Sequence, residues 1–321
     1  MVGFSFLTDI FKGSGVEVEI ENRRCLRNRL NTCRCNLCID ACPTEALQYH
    51  GKRLELDRSR CSGCLRCTAV CPNDAFTATY DFHRELAETV RTEKQRLIFS
   101  CPRQQQFADQ ETVVPCLAVF SMEALLFLGT MTKKEIHFNA STCATCTNAS
   151  AYLQFTAELD GLKRQAGPHL SSVLLVQTAP SKERQTSSRR SYLTALKKGA
   201  FNAAHSSLRL EAVPKPCSAT ARRIPARISL RQQCFTGNGT APSLAEIFTP
   251  QLTINDNCIP CPRCSGICPT GALRLKKSGG TKTVQFTGTD CSSCGLCLSF
   301  CTRNALSLSS GYRSAADQTY R

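Results

Sequence analysis

Histidine is scarce in this chain. Its five histidines, at positions 50, 83, 137, 169 and 205, are scattered and keep no metal-ligand spacing, which gives no ground for a histidine-based metal site. There is no dinucleotide glycine fingerprint, phosphate loop or nucleophile elbow. A flavin or nicotinamide site within the chain is therefore not expected. No apolar run approaches the length of a membrane span. Residues 1–11 carry Asp9 and lack the basic start of a secretory signal, so the expected compartment is the cytoplasm. Acidic side chains are few, 25 against 40 Lys and Arg, for a formal net charge of +15.

Cysteine, in contrast, is abundant: 23 in 321 residues. Most lie in ladders. Two are complete, Cys61-x2-Cys64-x2-Cys67-x3-Cys71-Pro72 and Cys258-x2-Cys261-x2-Cys264-x3-Cys268-Pro269. A third, Cys291-x2-Cys294-x2-Cys297-x3-Cys301, has Thr302 in place of the proline. A fourth ends Cys35-x2-Cys38-x3-Cys42-Pro43 and starts irregularly. This is the ligand run of a bacterial-type [4Fe-4S] cubane, in which three thiolates hold one cluster and the fourth reaches the neighbouring one. Zinc is the alternative, but it needs only paired C-x2-C and no further cysteine with Cys-Pro.

By that rule one ligand set is Cys42, Cys61, Cys64 and Cys67. A second is Cys258, Cys261, Cys264 and Cys301. A third is Cys268, Cys291, Cys294 and Cys297. The irregular set contains Cys35, Cys38 and Cys71 and needs a fourth thiol. Position 32, where regular spacing would put it, is Thr32. Cys25 is preferred, since its loop closes at modest entropic cost. Cys33, only one residue before Cys35, is the alternative, and a three-iron cluster or none stays open. Four cubanes at about −2 each would lower the net charge to about +7. That charge suits an acidic redox partner or, for peripheral membrane association, anionic lipid heads. Nucleic acid is not expected, because no binding motif accompanies the charge.

The order of segments predicts an α+β chain: two small two-[4Fe-4S] modules, 21–82 and 251–312, flank a central α/β domain at 90–180. Residues 1–20 form an N-terminal segment and 313–321 a tail. In each module a hairpin separates the runs, turning at His50-Gly51-Lys52 and at Gly279-Gly280, and a short strand follows every run. In the middle, strands are expected at 97–100, 112–114, 135–138 and 172–177. Helices are expected from the Ser121 cap to about Met131 and over about 148–162. The alternation implies a short parallel sheet. Cys101, Cys116, Cys143 and Cys146 each follow a strand, so they share the sheet edge where ligands gather. They fit a [2Fe-2S] cluster; a redox dithiol, structural zinc or plain buried cysteines are the alternatives.

Residues 181–250 read as a basic helix (188–205) and a proline-containing linker, with Cys217 and Cys234 as free thiols. Ser188-Arg189-Arg190-Ser191-Tyr192-Leu193 resembles a twin-arginine export signal but is internal, and reads as a basic surface helix.

Residues 21–82 and 251–312 resemble bacterial two-[4Fe-4S] ferredoxin domains. The middle is similar to the iron-sulfur delta subunit of methyl-viologen-reducing hydrogenases, in its order strand-Cys, strand-Cys-helix, strand-Cys-x2-Cys. The resemblance implies low-potential one-electron transfer. The expected protein is not an enzyme by itself. It is a carrier, or a subunit of a larger oxidoreductase such as a hydrogenase or formate dehydrogenase. The alternative is a ferredoxin-type accessory protein that assists maturation of a redox enzyme.

Overall fold

The computed structural model describes residues 15–51, 53–104, 111–170, 172–176, 222–236, 244 and 247–309. The basic helix expected at 188–205 lies outside them, as does Cys217.

The first module contains β1 (Val18–Ile20), α1 (Leu26–Arg29), α2 (Leu37–Asp40), β2 (Leu47–His50), β3 (Arg53–Leu56), α3 (Arg66–Val70) and β4 (Phe76–Ala78). Strands β2 and β3 pair antiparallel from Leu47↔Leu56 to His50↔Arg53. Gly51 at the turn has φ +61°, a conformation that costs glycine nothing. Alternation buries Leu47 and Leu54 on one face of this hairpin. β4 pairs antiparallel with β1, with Val18 opposite Ala78. β1 lies ahead of residue 21, where the sequence reading starts the module, because its pairing partner is remote and its Val-Glu-Ile stretch is too short to stand out.

A helix not expected from the sequence follows, α4 (Phe82–Val90), capped by Asp81, whose carboxylate accepts the Arg84 N–H at 3.1 Å. The central domain then runs β5 (Arg96–Ser100), β6 (Thr112–Val113), α5 (Met122–Met131), β7 (Glu135–Asn139), α6 (Ala149–Ala166) and β8 (Val173–Val176). Its four strands form a parallel sheet in the order β6-β5-β7-β8. The Ser121 hydroxyl accepts the Ala124 N–H at 3.2 Å and fixes the start of α5. Phe82, Phe99, Phe120, Phe138 and Phe155 build the core between sheet and helices. Phe120 meets Phe82, Phe99 and Phe138 edge-on, each at 4.9 Å between ring centroids. Such pairs add about 0.5–1.5 kcal/mol each beyond area burial.

Residues 226–236, which the sequence reading assigns to linker, form an 11-residue helix, α7 (Ala226–Thr236). Its flanking prolines mislead: Pro225 precedes the first helical residue, where its fixed φ favours the helix and its missing N–H costs nothing. Ile228, Leu230 and Cys234 are buried along α7. Cys234 is thus a core residue rather than a linker thiol. Its thiol donates to the Leu230 carbonyl at 3.2 Å.

The second module repeats the first: β9 (Gln251–Ile254), α8 (Arg263–Ile267), β10 (Leu273–Ser278), β11 (Thr281–Phe286), α9 (Leu296–Phe300) and β12 (Leu306–Ser309). β10 and β11 form the hairpin, turning at Gly279 and Gly280, both with positive φ. β12 pairs antiparallel with β9. Among the described residues, no helix is long and apolar enough to cross a membrane.

Candidate iron-sulfur centres

The same local geometry recurs after every cysteine run. The third residue beyond each run-ending cysteine has positive φ: Glu45 (+51°), Asp74 (+46°), Gly271 (+77°) and Asn304 (+49°). Three of these are not glycine, and each pays a steric cost of about 1–2 kcal/mol. The left-handed residue reverses the chain, so that the next N–H faces back toward the run. Ala46 donates to Cys42 Sγ at 3.3 Å, Ala75 to Cys71 Sγ at 3.3 Å, and Ala305 to Cys301 Sγ at 3.4 Å. In the remaining run Ala272 N–H turns to Thr270 Oγ1, which lies 3.6 Å from Cys268 Sγ. Backbone donors aimed at sulfur stabilise negative charge there, which is what a thiolate ligand needs.

Two runs share a second device. Gly63 and Leu65 after Cys61, and Ser293 and Gly295 after Cys291, are left-handed at matching positions. The loop winds around its thiols before α3 and α9 begin. In the run from Cys258 the corresponding positions are Pro260 and Pro262, which cannot take this form because proline fixes φ near −65°.

The thiols of each expected set lie near one another. Cys42 is close enough to Cys64 and Cys67 that their charges interact, and Cys61 joins them. Cys268 stands in the same relation to Cys291, Cys294 and Cys297. Cys258, Cys261, Cys264 and Cys301 line one cavity of about 190 Å³, beside Arg263 and Arg303. In the irregular set, Cys38 interacts with Cys71, Cys35 and Cys25. Cys25 Sγ is 2.8 Å from the Tyr49 hydroxyl. Cys33 interacts with Cys35 and Cys25, but its side chain packs instead with Leu26 and Leu296.

Burial pushes up the thiols of Cys35, Cys38, Cys64, Cys67, Cys71, Cys264, Cys291, Cys294 and Cys297. Cys35 rises to about 11, with Cys33, Cys71 and Cys25 adding to burial against the Leu37 N–H. Cys294 rises to about 12 for the same first reason, with Cys291 and Cys268 adding. Grouped thiols that are hard to ionise alone suit a polycationic occupant, whose binding displaces their protons. Among the described residues, no three Cys, His, Asp or Glu side chains gather as tightly as a single ion requires. A cluster of several irons asks for a wider spread of thiols.

Cys101, Cys116, Cys143 and Cys146 also come together, at the strand ends of the central sheet. Burial, with the other three thiols adding, pushes Cys143 up to about 12. Polar residues that the sequence reading missed surround them. Buried Gln104 donates to Cys143 Sγ at 3.1 Å. Asn148 N–H donates to Cys146 Sγ at 3.5 Å, and Arg103 reaches the same sulfur at 3.8 Å. Cys116 packs on Cys64 of the first module, with Ala118 and Ala151. Arg66, 1% exposed and between Cys64 and Cys67, crosses to the central domain and pairs with Glu158 of α6.

A model of the 4Fe-4S dicluster domain matches residues 32–75 and 257–305, under a third of the chain. A ferredoxin of Methanothermococcus thermolithotrophicus is 36% identical over 44 residues, which are 13% of this chain and 73% of that ferredoxin. UacF of Escherichia coli (strain K12), an oxidoreductase by name, is 43% identical over 35 residues, 11% of this chain. The chain spans only 6% of that protein's length. No solved structure matches. Through its two terminal modules, the chain belongs to the two-[4Fe-4S] ferredoxin family. It is an iron-sulfur protein of the electron-transfer class.

Proposed function

We propose that the chain carries four [4Fe-4S] clusters and relays single electrons between partner oxidoreductases, as a shuttle or as a subunit of a larger complex in the cytoplasm. The clusters, once bound, supply reversible one-electron chemistry. The ligand sets are Cys42/61/64/67, Cys25/35/38/71, Cys268/291/294/297 and Cys258/261/264/301. The observation that carries this reading is the exchange between runs: each run-ending cysteine stands with the thiols of the other run in its module. Cys25 completes the irregular set because it neighbours both Cys38 and Cys35. The protein's part is to exclude water, aim N–H groups at sulfur and fix the spacing. The central four cysteines hold a fifth centre, a [2Fe-2S] cluster, with Gln104, Asn148 and Arg103 donating to its ligands. The partner presents an acidic surface to this basic chain.

Anaerobic iron and sulfide counting on the purified protein tests the reading. About sixteen irons are expected from the cubanes, and about two more from the central domain. Fewer than about eight cubane irons after full reconstitution would overturn the four-cubane assignment.

A further inference from the structure

Each module brings one ligand set to a shared seam. Leu26 of α1, Cys33 and Leu296 of α9 are buried together, 3%, 7% and 0% exposed. Cys35 and Cys294 pack against this same apolar knot from opposite modules. Helix α7 holds the seam from one side. Its first N–H, at Ala226, donates to Asp74 of the first module at 2.8 Å. One turn on, buried Arg231 donates to the carbonyls of Thr289 at 2.9 Å and Cys291 at 2.6 Å in the second. Arg227, between them, interacts with Cys71 and reaches the Ser292 carbonyl at 3.5 Å. Within the first module Cys67 interacts with Cys38 across the two sets. Within the second, Cys264, Cys268, Cys291 and Cys297 share one buried cluster.

We infer that the two ferredoxin modules form one continuous relay, with electrons crossing between the Cys25/35/38/71 and Cys268/291/294/297 sets at the seam of Leu26, Cys33 and Leu296. The inference rests on the cluster assignment proposed above. It adds an order: the Cys42/61/64/67 set beside the central domain, then the two inner sets, then the Cys258/261/264/301 set at its cavity. At the seam one electron leaves one inner centre as the other gains it, and no bond or proton moves. The source is a one-electron reductant at one end of the line. Cys33 serves here as a buried spacer.

The test uses the full-length holoprotein, reduced anaerobically with dithionite, and reads magnetic interaction between inner centres by EPR. Cys38→Ser and Cys294→Ser each disable one inner set, and iron counts report what remains. Each inner centre should relax more slowly in the variant that lacks the inner centre of the other module than in the wild type, its own module being intact in both. Leu26→Ala with Leu296→Ala replaces no thiol and should weaken the interaction at full iron content. If the relaxation of each inner centre is unchanged by loss of the inner centre of the other module, the seam is not an electronic contact and the inference is wrong. A wild-type iron content far below about sixteen would instead refute the cluster assignment.

Discussion

At the scale of single residues, the choice between Cys25 and Cys33, which spacing leaves open, turns on side-chain surroundings. Both thiols are buried, so burial does not separate them. Both neighbour Cys35, but Cys25 also faces Cys38 and the Tyr49 hydroxyl, whereas Cys33 packs among Leu26 and Leu296. Replacing Cys25 by Ser should remove or convert one cubane, at a loss of up to about four irons. Cys33→Ser should keep the full count and the reduced EPR spectrum. The reverse pattern would make Cys33 the ligand. The cysteine runs were legible because their spacing is local: in each regular run the three cysteines expected on one cluster stand three positions apart. Gln104, Asn148 and Arg231 were not. Each is an ordinary polar residue in the sequence, and its side chain reaches a cysteine only when distant strands and helices meet.

At the scale of elements, the same division holds. The hairpins β2–β3 and β10–β11 were legible from glycines between alternating stretches, and β5, β7 and α5 from apolar periodicity and a serine cap. Strands β1 and β9 pair with the far ends of their modules, and so carry no short-range signal. Helix α7 was obscured by its proline neighbours and its charge. One element depends on a single missing atom. Gly288 opens the turn leading into Cys291, and a Cβ there would lie 2.5 Å from Thr249 Cγ2 and 2.6 Å from the Pro250 carbonyl oxygen. The backbone must shift to accommodate it. Gly288→Ala should therefore destabilise the second module by about 1–3 kcal/mol. Chemical denaturation of the holoprotein would show this as a lower midpoint. An unchanged midpoint would mean that the turn yields freely.

For the whole molecule, charge changes with assembly. The chain alone carries +15, and four cubanes at about −2 each would leave about +7. The holoprotein should focus at a lower isoelectric point than the iron-free chain, and leave a cation exchanger at lower salt. Equal behaviour of the two forms would count against multiple anionic centres. The modules and the central sheet were legible as separate blocks. Their contacts, Cys64 on Cys116, Arg66 on Glu158 and α7 across the seam, join residues far apart in the chain and leave no local trace.

The position of α7 also bears on how the protein is made. The helix follows the first module in the chain and precedes the second, yet its arginines grip carbonyls at 288–292. Domains generally fold as units, N-terminal first, during synthesis. While the ribosome is still adding the second module, the inner face of the first has no cover from Leu296. Once Leu296 has been made and the seam closes, that face gains its cover, so the last part of the chain to be synthesised completes the surroundings of the first module.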